Sequence, residues 1–236
     1  MLNQIKNAII GKLNLDKIMW IMVPAMILTP FYTYYMGVSK KEVPPYPHAT
    51  VTDTATHYPQ DIVFRYVMLI NSSFLALIFF VVFRWLEFQA FRVKYPPPLK
   101  YQFYLAEASI LCYAITIGTI DGKGIGKLHG PCAVIFFIIW LVTVLNMTVY
   151  MTKLRNWDSS VMSKLSLRLK QILGFYITGV WAYCLYYISQ ESSGSANKQD
   201  IYIVIVEWNS VIINLFWVLT LVMEWKSFNI CLVKKK

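Results

Sequence analysis

Charge is scarce in this chain, and acids are scarcer still: 14% of the 236 residues are charged, with 12 Asp and Glu against 22 Lys and Arg. With 57% hydrophobic residues, a soluble domain of this size would have more apolar surface than it could bury. The strands of a membrane barrel would alternate apolar and polar residues, and that period-two pattern is missing, so an outer-membrane-type barrel is excluded. The four cysteines, Cys112, Cys132, Cys184 and Cys231, have no paired spacing and read as small core residues rather than disulfides or metal ligands. There is no phosphate-loop pattern around Gly122-Lys123-Gly124-Ile125-Gly126, no internal repeat and no evident cleavable targeting segment.

What the chain does have is long apolar runs. A helix needs roughly 20 apolar residues to cross about 30 Å of hydrocarbon. Runs of that kind lie near 18–37, 62–86, 101–120, 128–151, 171–189 and 201–223. The expected fold is all-α: a polytopic membrane bundle of six transmembrane helices, because in lipid an unpaired backbone group costs several kcal/mol. The chain divides into an amphipathic N-terminal segment over 1–17, a six-helix domain over 18–225 and a basic tail over 226–236. Residues 1–17 place Leu2, Ile5, Ile9 and Leu13 on one helical face, which predicts an interfacial helix.

The net charge of +10 does not point to nucleic acid, because the basic residues are distributed as loop anchors. Sixteen of the 22 fall on the side holding both termini and the 87–100 and 152–170 connections. By the positive-inside rule that side is the cytosol, or the matrix of an organelle. The 152–170 connection, with Leu154, Val161, Leu165 and Leu169 among its basic residues, reads as a surface-lying stretch. On the opposite side, residues 38–61 hold Pro44, Pro45, Pro47 and Pro59 around a Thr- and Asp-rich run, which predicts an ordered outer cap.

Ionisable residues within or beside the spans are the candidates for function, since burying them in lipid is costly. Glu207 lies about 9 Å down the sixth span from Ile201, and His129 opens the fourth span on the same face. Asp53 and His57 belong to the outer loop, and Asp61 and Arg65 open the second span there. These residues are expected to converge beneath or within the cap, either as a hydrogen-bonded clasp or as a pocket for a lipid head group. A metal site from His48, His57 and His129 matches no motif, and no cofactor is expected. Glu107 is reached from the other side and is open to a paired, neutral or proton-relay reading. Asn71, Ser72, Ser73 and Thr148 read as groups that hydrogen-bond between helices.

The same outer residues carry a family resemblance. Pro45-Tyr46, then Thr52-Asp53-Thr54 and Pro59, running into Ile62-Val63-Phe64, resembles the Frag/DRAM/Sfk family of six-span membrane proteins, as do His129 with Ala133 and Phe136-Phe137, and the pair Glu207-Trp208. The order and spacing of these motifs cover nearly the whole chain. The chain departs from the family pattern at Ala55, at Tyr58-Pro59-Gln60 and by extra residues between Tyr46 and Asp53, which bears on a shared ligand more than on a shared fold.

The resemblance implies non-enzymatic roles in endomembranes or the plasma membrane: autophagy modulators, regulators that help place a phosphatidylinositol 4-kinase complex, and proteins affecting lipid asymmetry. One branch acts in remodelling glycosylphosphatidylinositol-anchored proteins. Fold analogy does not choose among these. The expectation is a lipid-contacting regulator or scaffold with membrane lipids and other membrane proteins as partners. The alternatives are an accessory subunit of a large membrane complex, such as one in the mitochondrial inner membrane, and a lipid-remodelling enzyme.

Overall fold

The computed structural model describes residues 9–120, 127–191, 196–225 and 229–233. In chain order it contains β1 (Ile9–Asn14), α1 (Leu15–Ser39), a 3-10 turn (Asp53–Ala55), α2 (Gln60–Arg92), α3 (Lys100–Gly118), α4 (His129–Trp157), α5 (Lys164–Glu191), α6 (Ala196–Leu219), α7 (Val222–Trp225) and β2 (Asn229–Val233). Six long helices stand where six spans are expected. Four segments, α1, α2, α4 and Ile201–Trp225, are long and apolar enough to cross a membrane by length and composition. The Gly122-Lys123-Gly124-Ile125-Gly126 stretch and residues 192–195 lie outside the described residues.

The helices pack with their neighbours in sequence, and α1 against α6 closes the bundle. In α1 the seam is legible at helical spacing: Leu15, Met19, Val23, Met26, Pro30, Thr33 and Gly37 are buried. The outward face is equally apolar, with Trp20, Ile21, Leu28 and Tyr35 exposed. A helix apolar all round while half exposed is suited to lipid rather than water. Pro24 and Pro30 sit inside this continuous helix, where Thr29 Oγ1 donates to the Ala25 carbonyl and Thr33 Oγ1 to the carbonyls of Thr29 and Pro30.

Three expectations are corrected. The first concerns the interfacial helix over 1–17. Residues 1–8 lie outside the described residues, but 9–14 form a strand that pairs antiparallel with β2, from Ile9 opposite Val233 to Asn14 opposite Asn229. Ile9 and Ile10 are β-branched, Gly11 is a poor helix former at a register shift, and the partner segment Asn229–Val233 is itself rich in strand formers. The ribbon ties the two ends of the chain together.

The second concerns 152–170, which is not surface-lying. α4 runs on to Trp157 and α5 begins at Lys164, so Leu154, Val161 and Leu167 enter the core while Leu165 and Leu169 face outward. The third concerns the polar residues of the second span. Asn71 and Ser72 bond back to carbonyls of their own helix, at Val67 and Leu69, and Ser73 is exposed. Thr148 does bridge helices, accepting from Trp217 Nε1 at 2.9 Å.

The loop between α1 and α2 is folded onto the bundle, with Val43, Ala49, Val51, Thr54 and Ala55 buried. Gly37 makes its turn possible. The amides of Glu42 and Val43 both donate to the Gly37 carbonyl, and a β-carbon at 37 would lie 2.5 Å from Val43 Cγ2. Inside the cap, Thr33 and Thr54 hydroxyls meet at 2.8 Å.

Candidate functional site: a clasp under the outer loop

The Thr52 backbone amide and hydroxyl both donate to Glu207 Oε1, at 3.1 and 3.0 Å, and the same hydroxyl lies 3.3 Å from His129 Nε2. His129 Nδ1 is 2.9 Å from the Thr116 carbonyl. One loop residue thereby joins α6 to α4, and His129 joins α4 to the end of α3. Next to it, Trp208 Nε1 donates to the Ala49 carbonyl at 2.9 Å, and its ring packs on Phe31 and Tyr34 with centroids 5.3 and 5.8 Å away. Consecutive residues of α6 therefore hold the loop at two points, Glu207 at its Thr52 and Trp208 at its Ala49.

A carbonyl only accepts, so in the contact with Thr116 the donor is His129 Nδ1. The Thr52 hydroxyl has one proton, which it donates to Glu207 Oε1, and its oxygen is the neighbour of His129 Nε2.

Glu207, His129, Thr52 and Thr116 border a cavity of about 40 Å³ whose other walls are apolar, among them Phe64, Met68 and Tyr113. About 10–15 Å³ of such space is enough to hold a water molecule, so this cavity has room for water beside the polar groups. Thr52 and His129 have the hydroxyl-to-imidazole contact of a nucleophile and its base, and the Thr52 amide is committed to Glu207.

The other residues singled out in the sequence make further contacts in the loop and at the helix ends. Asp53 caps its own turn: its Oδ2 accepts from the Thr50 amide at 2.8 Å, while its amide donates to Thr50 Oγ1 at 3.0 Å. His57 is exposed, with Nδ1 at 2.9 Å from Thr56 Oγ1. Arg65 reaches the Gly118 carbonyl at 3.4 Å and links α2 to α3, and Asp61 stands one turn before it. Glu107 Oε1 is buried with no hydrogen-bond partner among the described residues. Among those residues there is also no group of three or more potential metal ligands.

Sequence reasoning passed over two elements. Thr52 is the hub, yet an isolated threonine gives no local signal beyond its place in the Thr52-Asp53-Thr54 motif. Lys170 looks like one more basic residue of an inner connection. It is instead fully buried, with Nζ at 3.2 Å from Glu224 Oε2 and 2.6 Å from Ser166 Oγ. This pair fastens α5 to α7 at the end of the bundle opposite the clasp.

Long helices apolar on both faces, closed at one end by a clasped loop, define a polytopic helical membrane protein with one capped end. The profile of the Frag1/DRAM/Sfk1/Cwh43P N-terminal domain matches residues 17–228, and the chain belongs to this family. No curated protein matches the chain, and neither does any solved structure.

Proposed function

We propose that the protein is a non-enzymatic, lipid-contacting regulator or scaffold that spans the membrane six times, with both termini in the cytosol or an organellar matrix. The observation that carries this reading is the clasp. Its polar groups are spent on one another around a cavity of about 40 Å³, the arrangement of a structural lock rather than of a substrate site. Six spans are supported by the packing of α3 and α5, each between neighbours, and the orientation by the sixteen basic residues on one side. Lipid meets the exposed apolar faces and the ring of Trp20, while Trp85, Trp140 and Trp225 are buried within the bundle.

Two measurements test this reading. Protease added to sealed vesicles should cut the 40–59 loop from one side and the C-terminal tail from the other; cleavage of both from the same side overturns the topology. Purification in mild detergent followed by native mass spectrometry should give the protein with retained lipid. A stable complex of several chains would support the accessory-subunit reading instead, and lipid turnover abolished by Thr52→Val would support the enzyme reading.

A further inference from the structure

α2 is longer than a bilayer is thick, and its charges show where it leaves the hydrocarbon. From Tyr66 to Phe83 it carries eighteen residues without a charge or a histidine, bracketed by Arg65 and Arg84. At 1.5 Å per residue the two arginines stand about 28 Å apart, close to the roughly 30 Å of a hydrocarbon core. Arg84 therefore lies at head-group level on the side opposite the clasp. There α2 and the start of α3 enclose an open groove of about 150 Å³.

The two halves of this groove differ in chemistry. Its floor is phenyl: Phe103 packs against Phe80 and Phe83, with centroids 6.0 and 5.5 Å away. Its rim carries Arg84 and Lys100, with Glu87 beside them. Arg84 Nη1 donates to Glu87 Oε2 at 2.7 Å, and its guanidinium carbon stands 5.5 Å from the centre of the Phe80 ring. Neither Arg84 Nη2 nor Lys100 Nζ has a hydrogen-bond partner among the described residues, and the Arg84 side chain is 64% exposed. Two cations and one carboxylate leave a net charge of +1, the complement of one phosphodiester.

We infer that the groove between α2 and α3 is a binding site for a membrane glycerophospholipid, whose phosphodiester sits on Arg84 and Lys100 and whose glycerol and first acyl carbons lie on Phe80, Phe83 and Phe103. A guanidinium presents planar paired donors to phosphate oxygens, and an ammonium adds a second point charge. Depth selects the lipid over a free anion: the phenyl floor continues from the charged rim in the direction of the hydrocarbon, and only an amphiphile covers both. The inference rests on α2 crossing the bilayer and is independent of the clasp.

The test uses the full chain in nanodiscs containing phosphatidylglycerol, with phospholipid retained after extraction counted by native mass spectrometry. Arg84→Gln and Lys100→Gln should each lower retention about fivefold, taking roughly 1 kcal/mol per cation near the surface. Both positions are exposed, and an unchanged circular dichroism spectrum would confirm that the fold survives. Arg84→Lys should retain most of the binding. Lys94→Gln, a nearby exposed cation outside the groove, should leave it unchanged. Diacylglycerol should not replace the phospholipid, and millimolar inorganic phosphate should not release it. Unchanged retention in the two glutamine variants, an equal loss in Lys94→Gln, or displacement by either probe would overturn the proposal.

Discussion

Thr52→Val is the sharpest probe of the clasp, because valine keeps the shape of the side chain and removes only the hydroxyl. The backbone amide bond to Glu207 survives, so Glu207 keeps one of its two donors from Thr52, while His129 Nε2 loses its contact altogether. Leaving a buried polar group without its partner costs about 1–3 kcal/mol. If the loop opens locally, that loss raises amide hydrogen exchange across residues 50–55 by about 5- to 150-fold, since 1.4 kcal/mol is a factor of ten. Exchange in α2 and α4 should change much less, because the bundle packing is untouched. His129→Ala introduced on top of Thr52→Val should add far less than it does alone, as residues in one network are not additive. Native-like exchange in Thr52→Val, or strict additivity of the two changes, would refute the reasoning.

The remaining predictions concern other parts of the structure. Lys170→Ala strands Glu224 in a buried site, with side-chain exposures of 0% and 3% for the pair, and should cost about 3–5 kcal/mol in detergent unfolding experiments. Replacing the pair together, Lys170→Met with Glu224→Leu, should recover most of that loss. Gly37→Ala drives a methyl to 2.5 Å from Val43 Cγ2 and should destabilise the protein by about 1–3 kcal/mol, with limited proteolysis showing faster cleavage in the 40–59 loop. Asp158, in the turn between α4 and α5, has its carboxyl pKa held below the ordinary range by the Ser160 hydroxyl and amide. Its contribution is therefore complete above a pH of about 4 and lost as the pH falls through the lowered value. Exchange at the Ser160 amide should rise in acid, and Asp158→Asn should remove that dependence.

Much of this protein was legible in its sequence because helix formation in lipid is local. An apolar run of about 20 residues has to satisfy its backbone within itself, so the positions of the six helices follow from hydropathy. Their ends follow less closely: Trp157 and Lys164 bring α4 and α5 nearer together than the basic inner stretch suggested, because helical hydrogen bonding continues past the apolar run. The outer motifs were legible as a group, but their assembly was not. Glu207 meets Thr52 across 155 positions, and that pairing depends on Gly37 letting the loop turn back and on α1 packing beside α6. Asp53, the more conspicuous residue, serves its own turn, since a carboxylate satisfied by a nearby amide has no call on a distant partner. The β1–β2 ribbon and the Lys170–Glu224 pair were equally hidden, because each joins segments that only the closed bundle brings together. The sequence by itself determined which segments are helices apolar enough for lipid; the tertiary structure decided which polar groups at their ends meet, because hydrogen bonds and ion pairs act over about 3 Å and depend on where the packed helices leave each side chain.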